Sequence, residues 1–139
     1  MANSTDSGMT WEQIDLTKLI PHDNAVYSIA FDPPNDDVVY VGMQGAIIKT
    51  TDGGNSWIVP LVTNPKGEFF RAILSDPTNP GHLWAVGGPD LIETWDAGAT
   101  WEPVESPIPE TTKIFHMILD EKTQEIYLGT LNRVYRFKP

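Results

Sequence analysis

The chain has 139 residues, of which 40% are hydrophobic, and this length and apolar content predict one folded domain with its own core. The absence of cysteine excludes disulfides and thiolate metal sites, and the net charge of −10 disfavours binding to nucleic-acid phosphates. Neither a basic-apolar leader nor an apolar run of roughly 18 residues is found, so we expect no signal peptide and no membrane insertion, and the compartment stays unknown.

The first element in the chain is a turn motif that recurs twice. Residues 4–11, 50–57 and 94–101 share the pattern Ser/Thr-x-Asp-x-Gly-x-Ser/Thr-Trp, and their aspartates are 46 and 44 residues apart. The carboxylate can accept N–H bonds across the turn, the glycine can adopt positive φ, and the tryptophan can start a strand with a large apolar ring. We therefore assign a structural role to the nine motif residues Asp6, Gly8, Trp11, Asp52, Gly54, Trp57, Asp96, Gly98 and Trp101.

Short runs with β-type patterns lie between the motifs and repeat in the same order. They are predicted at 27–31, 38–41, 46–50 and 56–61, then at 70–74, 82–86, 91–94 and 100–104, and finally at 115–119, 125–128 and 133–137. A repeat near 44 residues with four short strands has the length of a β-propeller blade. The sequence therefore predicts an all-β propeller unit with three blades of four-stranded type, at residues 24–62, 68–105 and 113–139.

The two ends of the chain are complementary in this scheme. Residues 1–16 hold one motif and a single strand, predicted at 11–16, whereas the third blade lacks a fourth strand. We predict that residues 1–16 complete a last blade by velcro closure, either in their own chain or in a neighbour. Propellers need at least about four blades, so we expect a homodimer with a six-bladed ring; a fragment of a larger propeller is the alternative.

The three motifs resemble the Asp-box, or BNR, repeat, and the resemblance covers nearly the whole chain. Such repeats occur in sialidases, xyloglucan-cleaving glycosidases, sortilin-type receptors and photosystem II assembly factors, where the Asp box lies on the blade rim. The sequence of the first repeat is similar to that of the assembly factors, at Phe31-Asp32-Pro33, Val39-Tyr40-Val41-Gly42 and Thr50-Thr51-Asp52-Gly53-Gly54. That resemblance implies a non-enzymatic module that binds a protein partner.

Propellers bind ligands mostly at one mouth of the central channel, near the starts of the innermost strands and the loops between second and third strands. This layout gives the tentative ligand-binding residues Tyr27, Gln44, Glu68, Arg71, Asp90, His116, Asn132 and Arg133. Arg71 is expected either to form an ion pair with Glu68 or an inter-blade carboxylate, or to recognise an anion. His116 is expected to be a core or channel histidine.

The alternative function is a glycan-binding or glycoside-hydrolysing propeller. A sialidase needs three converging arginines, but two of the three arginines here, Arg133 and Arg136, flank a single strand. Another glycosidase would need two facing carboxylates, for which Glu68 and Asp90 are the candidates. We expect no catalytic residue, no metal site and no cofactor. The expected partners are a second copy of the chain and another protein or a glycan.

Overall fold

The computed structural model describes residues 2–20, 25–62, 69–87, 90–105, 108–109 and 112–139, and its regular elements there are all β-strands. No helix in these ranges could span a membrane. The strands are β1 (Ala2–Asn3), β2 (Glu12–Gln13), β3 (Val26–Asp32), β4 (Asn35–Met43), β5 (Ala46–Thr50), β6 (Ile58–Val62), β7 (Phe70–Ser75), β8 (Leu83–Gly87), β9 (Asp90–Thr94), β10 (Glu102–Pro103), β11 (Ile114–Asp120), β12 (Glu125–Thr130) and β13 (Val134–Phe137).

The strands form three propeller blades and one small hairpin. Blade one is the antiparallel sheet β3–β4–β5–β6, blade two is β7–β8–β9–β10, and blade three is the three-stranded sheet β11–β12–β13. Strands β3, β7 and β11 are the innermost, and β7 contacts both of the others. The predicted all-β propeller with three blades in the chain is confirmed.

The fourth strands are shorter than predicted because the turn motif extends into them. Strand β6 begins at Ile58, since the backbone N–H and hydroxyl of Ser56 both bind the Asp52 carboxylate and are not available to a neighbouring strand. Strand β10 covers only Glu102–Pro103, because the backbone N–H and hydroxyl of Thr100 bind the Asp96 carboxylate in the same way. The N-terminal strand β2 likewise covers Glu12–Gln13 instead of residues 11–16.

The core lies between the blades, because alternate residues of each strand face opposite neighbours. Tyr40 of blade one packs with Phe70 and Leu83 of blade two. Trp84 of blade two packs with Ile126 of blade three in a second cluster. Each blade therefore needs a neighbour on both faces to bury its apolar side chains.

Residues 2–20, the N-terminal segment, cover part of the first face of blade one. Leu16 is buried there against Val41, Met43 and Ile48. Within the protomer β2 pairs with β1, and the three strands of blade three pair only with one another among the described residues. The segment does not complete blade three of its own chain. Completion by residues 1–16 of a second copy stays a prediction.

Both ends of the row of blades carry exposed apolar side chains. Ile29 and Phe31 of β3 are 52% and 56% exposed, and Ile118 and Val134 of blade three are 66% and 72% exposed. Isolated apolar residues are normal on a protein surface, but these lie on sheet faces whose counterparts are buried elsewhere in the chain. The unpartnered surfaces of the protomer are therefore the free face of blade three and the part of the first face of blade one that the N-terminal segment leaves exposed, along β3.

Candidate functional site

The three innermost strands share a β-bulge near their first residue. One extra residue interrupts the pairing with the second strand between Val26 and Ser28, between Phe70 and Ala72, and between Ile114 and His116. The extra residues are Tyr27, Arg71 and Phe115, which are 44 residues apart. A bulge re-aims a side chain and often borders a functional site. One structural position in each blade thus presents a different side chain.

These three side chains form a row across the blades with Phe69, which we call the aromatic–arginine row. Tyr27 packs edge-on against Phe69, with ring centroids 5.1 Å apart and planes at 77°. The guanidinium carbon of Arg71 lies 4.6 Å from the Phe69 centroid and 5.6 Å from the Phe115 centroid. Gln44 forms a backbone bridge with Phe69 at the same edge. Stacking on aromatic rings orients the guanidinium while leaving its N–H groups for other acceptors.

Arg71 has no carboxylate within 4.0 Å among the described residues, where the ion pairs are His82–Asp76, His82–Glu93 and Arg136–Glu125. Its predicted partner Glu68 lies outside the described residues. A half-buried guanidinium that stacks on apolar rings retains several donors in a fixed planar fork. This arrangement suits recognition of a carboxylate or another planar anion.

The remaining predicted ligand residues lie at different places on the same edges. Asp90 is exposed and pairs with Gly87 at the start of β9. Asn132 lines a shallow depression with Phe115, whereas the Arg133 carbonyl accepts hydrogen bonds from Thr130 at 2.8 and 2.9 Å within the same turn. The structure brings Tyr27, Gln44, Arg71 and Asn132 to the row or its border. The carboxylate predicted to face Asp90 in a glycosidase, Glu68, lies outside the described residues, so that pair stays a prediction.

His116 is exposed on blade three in the single chain. The bulge assigns Phe115 to the position of Tyr27 and Arg71, so His116 moves to the next pairing position, opposite Gly129. A shift of one residue reverses the face to which a strand side chain points. His116 therefore lies on the end face of blade three, at the position that Ala72 has in blade two, and its expected role as a core or channel histidine stays a prediction.

The Asp boxes repeat one internal hydrogen-bond pattern. The Asp52 carboxylate accepts the Ser56 hydroxyl at 2.6 Å, the Ser56 N–H at 2.8 Å and the Thr50 hydroxyl at 2.7 Å. The Trp57 indole N–H donates to the Gly54 carbonyl at 3.0 Å. The hydrogen bonds to the Asp52 carboxylate, among which those from Ser56 have the largest effect, lower its pKa from 3.8 to about 2. A carboxylate held in this way stabilises the turn.

Asp6 and Asp96 have the same partners at equivalent positions. Each accepts a hydroxyl and an N–H from the threonine four residues later, Thr10 or Thr100. The pKa of each carboxyl is lowered to about 2, again mainly by this threonine. The three boxes thus form the same hydrogen bonds within the turn, and their structural role stays a prediction.

A buried cluster around His82 escaped the sequence reasoning. The His82 ring lies 3.0 Å from the Asp76 carboxylate and 3.5 Å from that of Glu93, and it stacks on Trp95 with centroids 3.5 Å apart. Burial raises the pKa of Asp76, but hydrogen bonds from Asn79, Thr78 and His82 outweigh it and hold this pKa well below its ordinary value. The available signal was the repeat register, which places Glu93 opposite Trp84 and beside Trp95.

No group of three histidine, aspartate or glutamate side chains is arranged to hold a metal ion within the described ranges. The His82 cluster instead joins blade two to its own turn. The aromatic–arginine row is the candidate site, because it combines a stacked guanidinium with neighbouring aromatic rings.

Comparison with known proteins identifies relatives along most of the chain. The family described as Photosynthesis system II assembly factor YCF48 matches residues 3–126. The Photosystem II stability/assembly factor HCF136, chloroplastic, of Oryza sativa subsp. japonica is 29% identical over 152 aligned residues, covering 99% of this chain and 35% of the rice protein. The chain thus spans about a third of the length of this curated relative.

Solved structures share the fold. An ancestral GH74 enzyme has a TM-score of 0.78 at 21% identity, covering 97% of this chain and 19% of its own. YCF48 from Cyanidioschyzon merolae has a TM-score of 0.64 at 17% identity, covering 92% of this chain and 37% of its own. A complex described as YCF48 bound to D1 peptide has a TM-score of 0.60 at 20% identity, covering 81% and 37%. At these identities the likeness shows the propeller fold alone.

Proposed function

Because the chain belongs to the photosystem II assembly factor YCF48 family, we propose that it is a non-enzymatic propeller module that binds a protein partner at the channel mouth. The proposed ligand is an extended protein segment with a carboxylate and neighbouring apolar side chains. The observation that carries this proposal is Arg71, held between Phe69 and Phe115 at a bulge position without a described carboxylate partner. The carboxylate would bind the guanidinium fork, and the apolar groups would pack on the row.

The charge of the chain supports recognition of a single carboxylate and not of a strongly acidic partner. The chain has 19 acidic and 9 basic residues, so a polyanion would be repelled over most of the surface. Arg71 provides a local positive site in this acidic background. A solved YCF48 complex contains a D1 peptide, which supports a peptide as the ligand class.

The proposal is tested by fluorescence anisotropy with the D1 peptide and with acidic, neutral and basic peptides of equal length. We expect binding of at least one carboxylate-bearing peptide, and Arg71→Gln should weaken it by about tenfold or more, as expected for a charge-assisted hydrogen bond. The matched control is Arg136→Gln on the rim, where the guanidinium is exposed and pairs with Glu125. Equal peptide affinity for wild type and Arg71→Gln would contradict binding at the channel mouth.

We also propose that two chains close one six-bladed ring as a homodimer. The support is the pair of unpartnered apolar end faces, one with Ile29 and Phe31 and the other with Ile118 and Val134. Joining the two faces would bury both of them and would remove the open sheet edge at β13. A two-fold assembly does this with two equivalent contacts.

A further inference from the structure

The Asp box of blade two shows how such a turn is seated between two blades. The Ala97 N–H donates to the Gly81 carbonyl of its own blade at 2.9 Å. The Ala97 carbonyl accepts the Tyr40 hydroxyl at 3.2 Å and the Lys49 ammonium at 3.0 Å, both from blade one. Gly98 lies against the Tyr40 ring, 3.6 Å from its Cε1 when a Cβ is built. One turn residue thus joins two blades through both of its backbone groups.

The equivalent site between blades two and three, which we call the seat, contains the groups that would form hydrogen bonds with such a turn. Trp84 is the counterpart of Tyr40, because the two pair with Leu74 and Ala30, inner-strand residues 44 positions apart. Trp84 is only 2% exposed, and its indole N–H finds no acceptor in the described part of the chain. A buried donor without an acceptor is costly and needs an explanation.

Gln124 supplies the second receiving group of this seat. It occupies the position of Gly81, because the residues two positions later, Ile126 and Leu83, pair with Leu119 and Ser75, inner-strand residues that are 44 positions apart. Gln124 and Gly81 both have positive φ, 56° and 82°. Gln124 and Trp84 line one cleft of about 250 Å³ between blade two and the end of blade three. The cleft therefore contains the Trp84 indole donor and the Gln124 carbonyl, which correspond to the Tyr40 hydroxyl and the Gly81 carbonyl that bind the box turn of blade two.

The N-terminal Asp box has the matching shape. The φ angle of Ser7 is 60°, and that of its counterpart Ala97 is 59°. The Ser4 hydroxyl accepts the Gly8 N–H at 2.8 Å, as the Thr94 hydroxyl accepts the Gly98 N–H at 2.9 Å. Trp11 is 67% exposed, whereas its counterpart Trp101 packs on the cluster between blades one and two. The N-terminal box is thus fully formed, but its tryptophan is not packed on a blade core.

We propose that the Ser4–Trp11 box of a second copy occupies the cleft between blades two and three. In this seat the Ser7 carbonyl accepts the Trp84 indole N–H, and the Ser7 N–H donates to the Gln124 carbonyl. Trp11 then packs on the core cluster of blades two and three. The inference rests on the proposed closed ring and specifies its contact.

Charge complementarity supports the same register. In blade two Glu102 pairs opposite Glu93, and the counterparts of these residues are Glu12 and Arg136. The seated box would place Glu12 of the second copy opposite Arg136, an attractive cross-strand pair. The two residues of β1 now occupy that edge of β2, so Ala2–Asn3 must leave it when β13 takes their place.

A cysteine pair tests this contact directly. A Cβ built on Gly81 lies 3.3 Å from the Ala97 Cβ, close to the roughly 3.5–4.5 Å of a disulfide. The chain has no cysteine of its own, so Ser7→Cys with Gln124→Cys introduces the only thiols. Oxidation should give a covalent dimer on a non-reducing gel that a reductant returns to single chains. Ser7→Cys with Lys122→Cys, at an exposed position of the same turn, should give much less.

The outcomes of this experiment distinguish failure of the proposed contact from failure of the proposed six-bladed ring. A dimeric mass without the disulfide would overturn the seat and leave the closed ring standing, and a monomeric mass would overturn both. A disulfide within one chain would also overturn the seat. As a second measurement, Trp84→Phe should raise the dimer dissociation constant about tenfold by removing the donor. Tyr40→Phe removes the equivalent donor inside one chain and should leave that constant unchanged.

Discussion

At the scale of single residues, some positions of the repeat keep the same hydrogen bonds in every blade, whereas the residue type at the bulge position differs from blade to blade. The box aspartates have the same partners in all three copies, whereas the bulge position holds Tyr27, Arg71 or Phe115. A bulge residue takes no part in the ladder, so its side chain can change without loss of strand pairing. Function can therefore be placed at this position without altering the blade.

The box aspartates should make the stability of the folded chain depend on pH in the acidic range. Since the pKa of Asp52 is lowered from 3.8 to about 2 in the folded chain, its ionised form stabilises the fold above pH 3.8, and this contribution is lost as the pH falls through 2. We expect Asp52→Asn to lower the melting temperature at pH 7, and the difference from wild type to narrow between pH 4 and 2. The measurement is thermal unfolding by circular dichroism across this pH range. A difference that is independent of pH would contradict the role of the ionised carboxylate.

At the scale of elements, the box and its following strand form one unit whose tryptophan needs a blade to pack on. Trp57 and Trp101 are half-buried against the neighbouring clusters, whereas Trp11 is largely exposed although its indole N–H makes the same bond to Gly8. The local turn forms with or without a neighbour, because its hydrogen bonds span only eight residues. The packing of its tryptophan depends on the next blade.

A matched pair of substitutions follows from this difference. Trp57→Ala should lower the free energy of unfolding by ~3 kcal/mol, because it opens a cavity in the cluster beneath blade one. Trp11→Ala should change the stability of the single chain by less than about 0.5 kcal/mol, since the ring is exposed there. It should instead weaken the dimer. Urea unfolding and sedimentation of both variants provide the measurements, and equal destabilisation by the two would contradict the proposed contact.

At the scale of the whole molecule, the N-terminal segment has two separate tasks. Leu16 covers Val41 and Met43 on blade one, and the box of the same segment is the element that would reach a second copy. Coverage of an apolar face is needed in any assembly, whereas the box is needed only for ring closure. The segment thus links the stability of one chain to the formation of the ring.

Removal of residues 1–16 should therefore abolish the dimer and expose the first face of blade one. Light scattering of the intact chain should give twice the mass of one chain, and the truncated chain should be aggregated or monomeric with a lower melting temperature. Leu16→Ala is the control, because it should cost ~3 kcal/mol of stability and leave the box in place to form the dimer. A stable monomeric mass for the intact, folded chain would contradict the closed ring.

The sequence by itself determined the blades and the boxes. Strand patterns and the hydrogen bonds of an eight-residue turn are local, so their repetition at Asp6, Asp52 and Asp96 defines the period and the number of blades. Only the tertiary structure decided the rest. Three features depend on contacts between different strands. They are the bulge that places Phe115 where His116 was expected, the stacking of Arg71 on Phe69 and Phe115, and the packing of Leu16 on blade one. Such contacts depend on how the strands pair and twist together, which the order of the residues does not show directly.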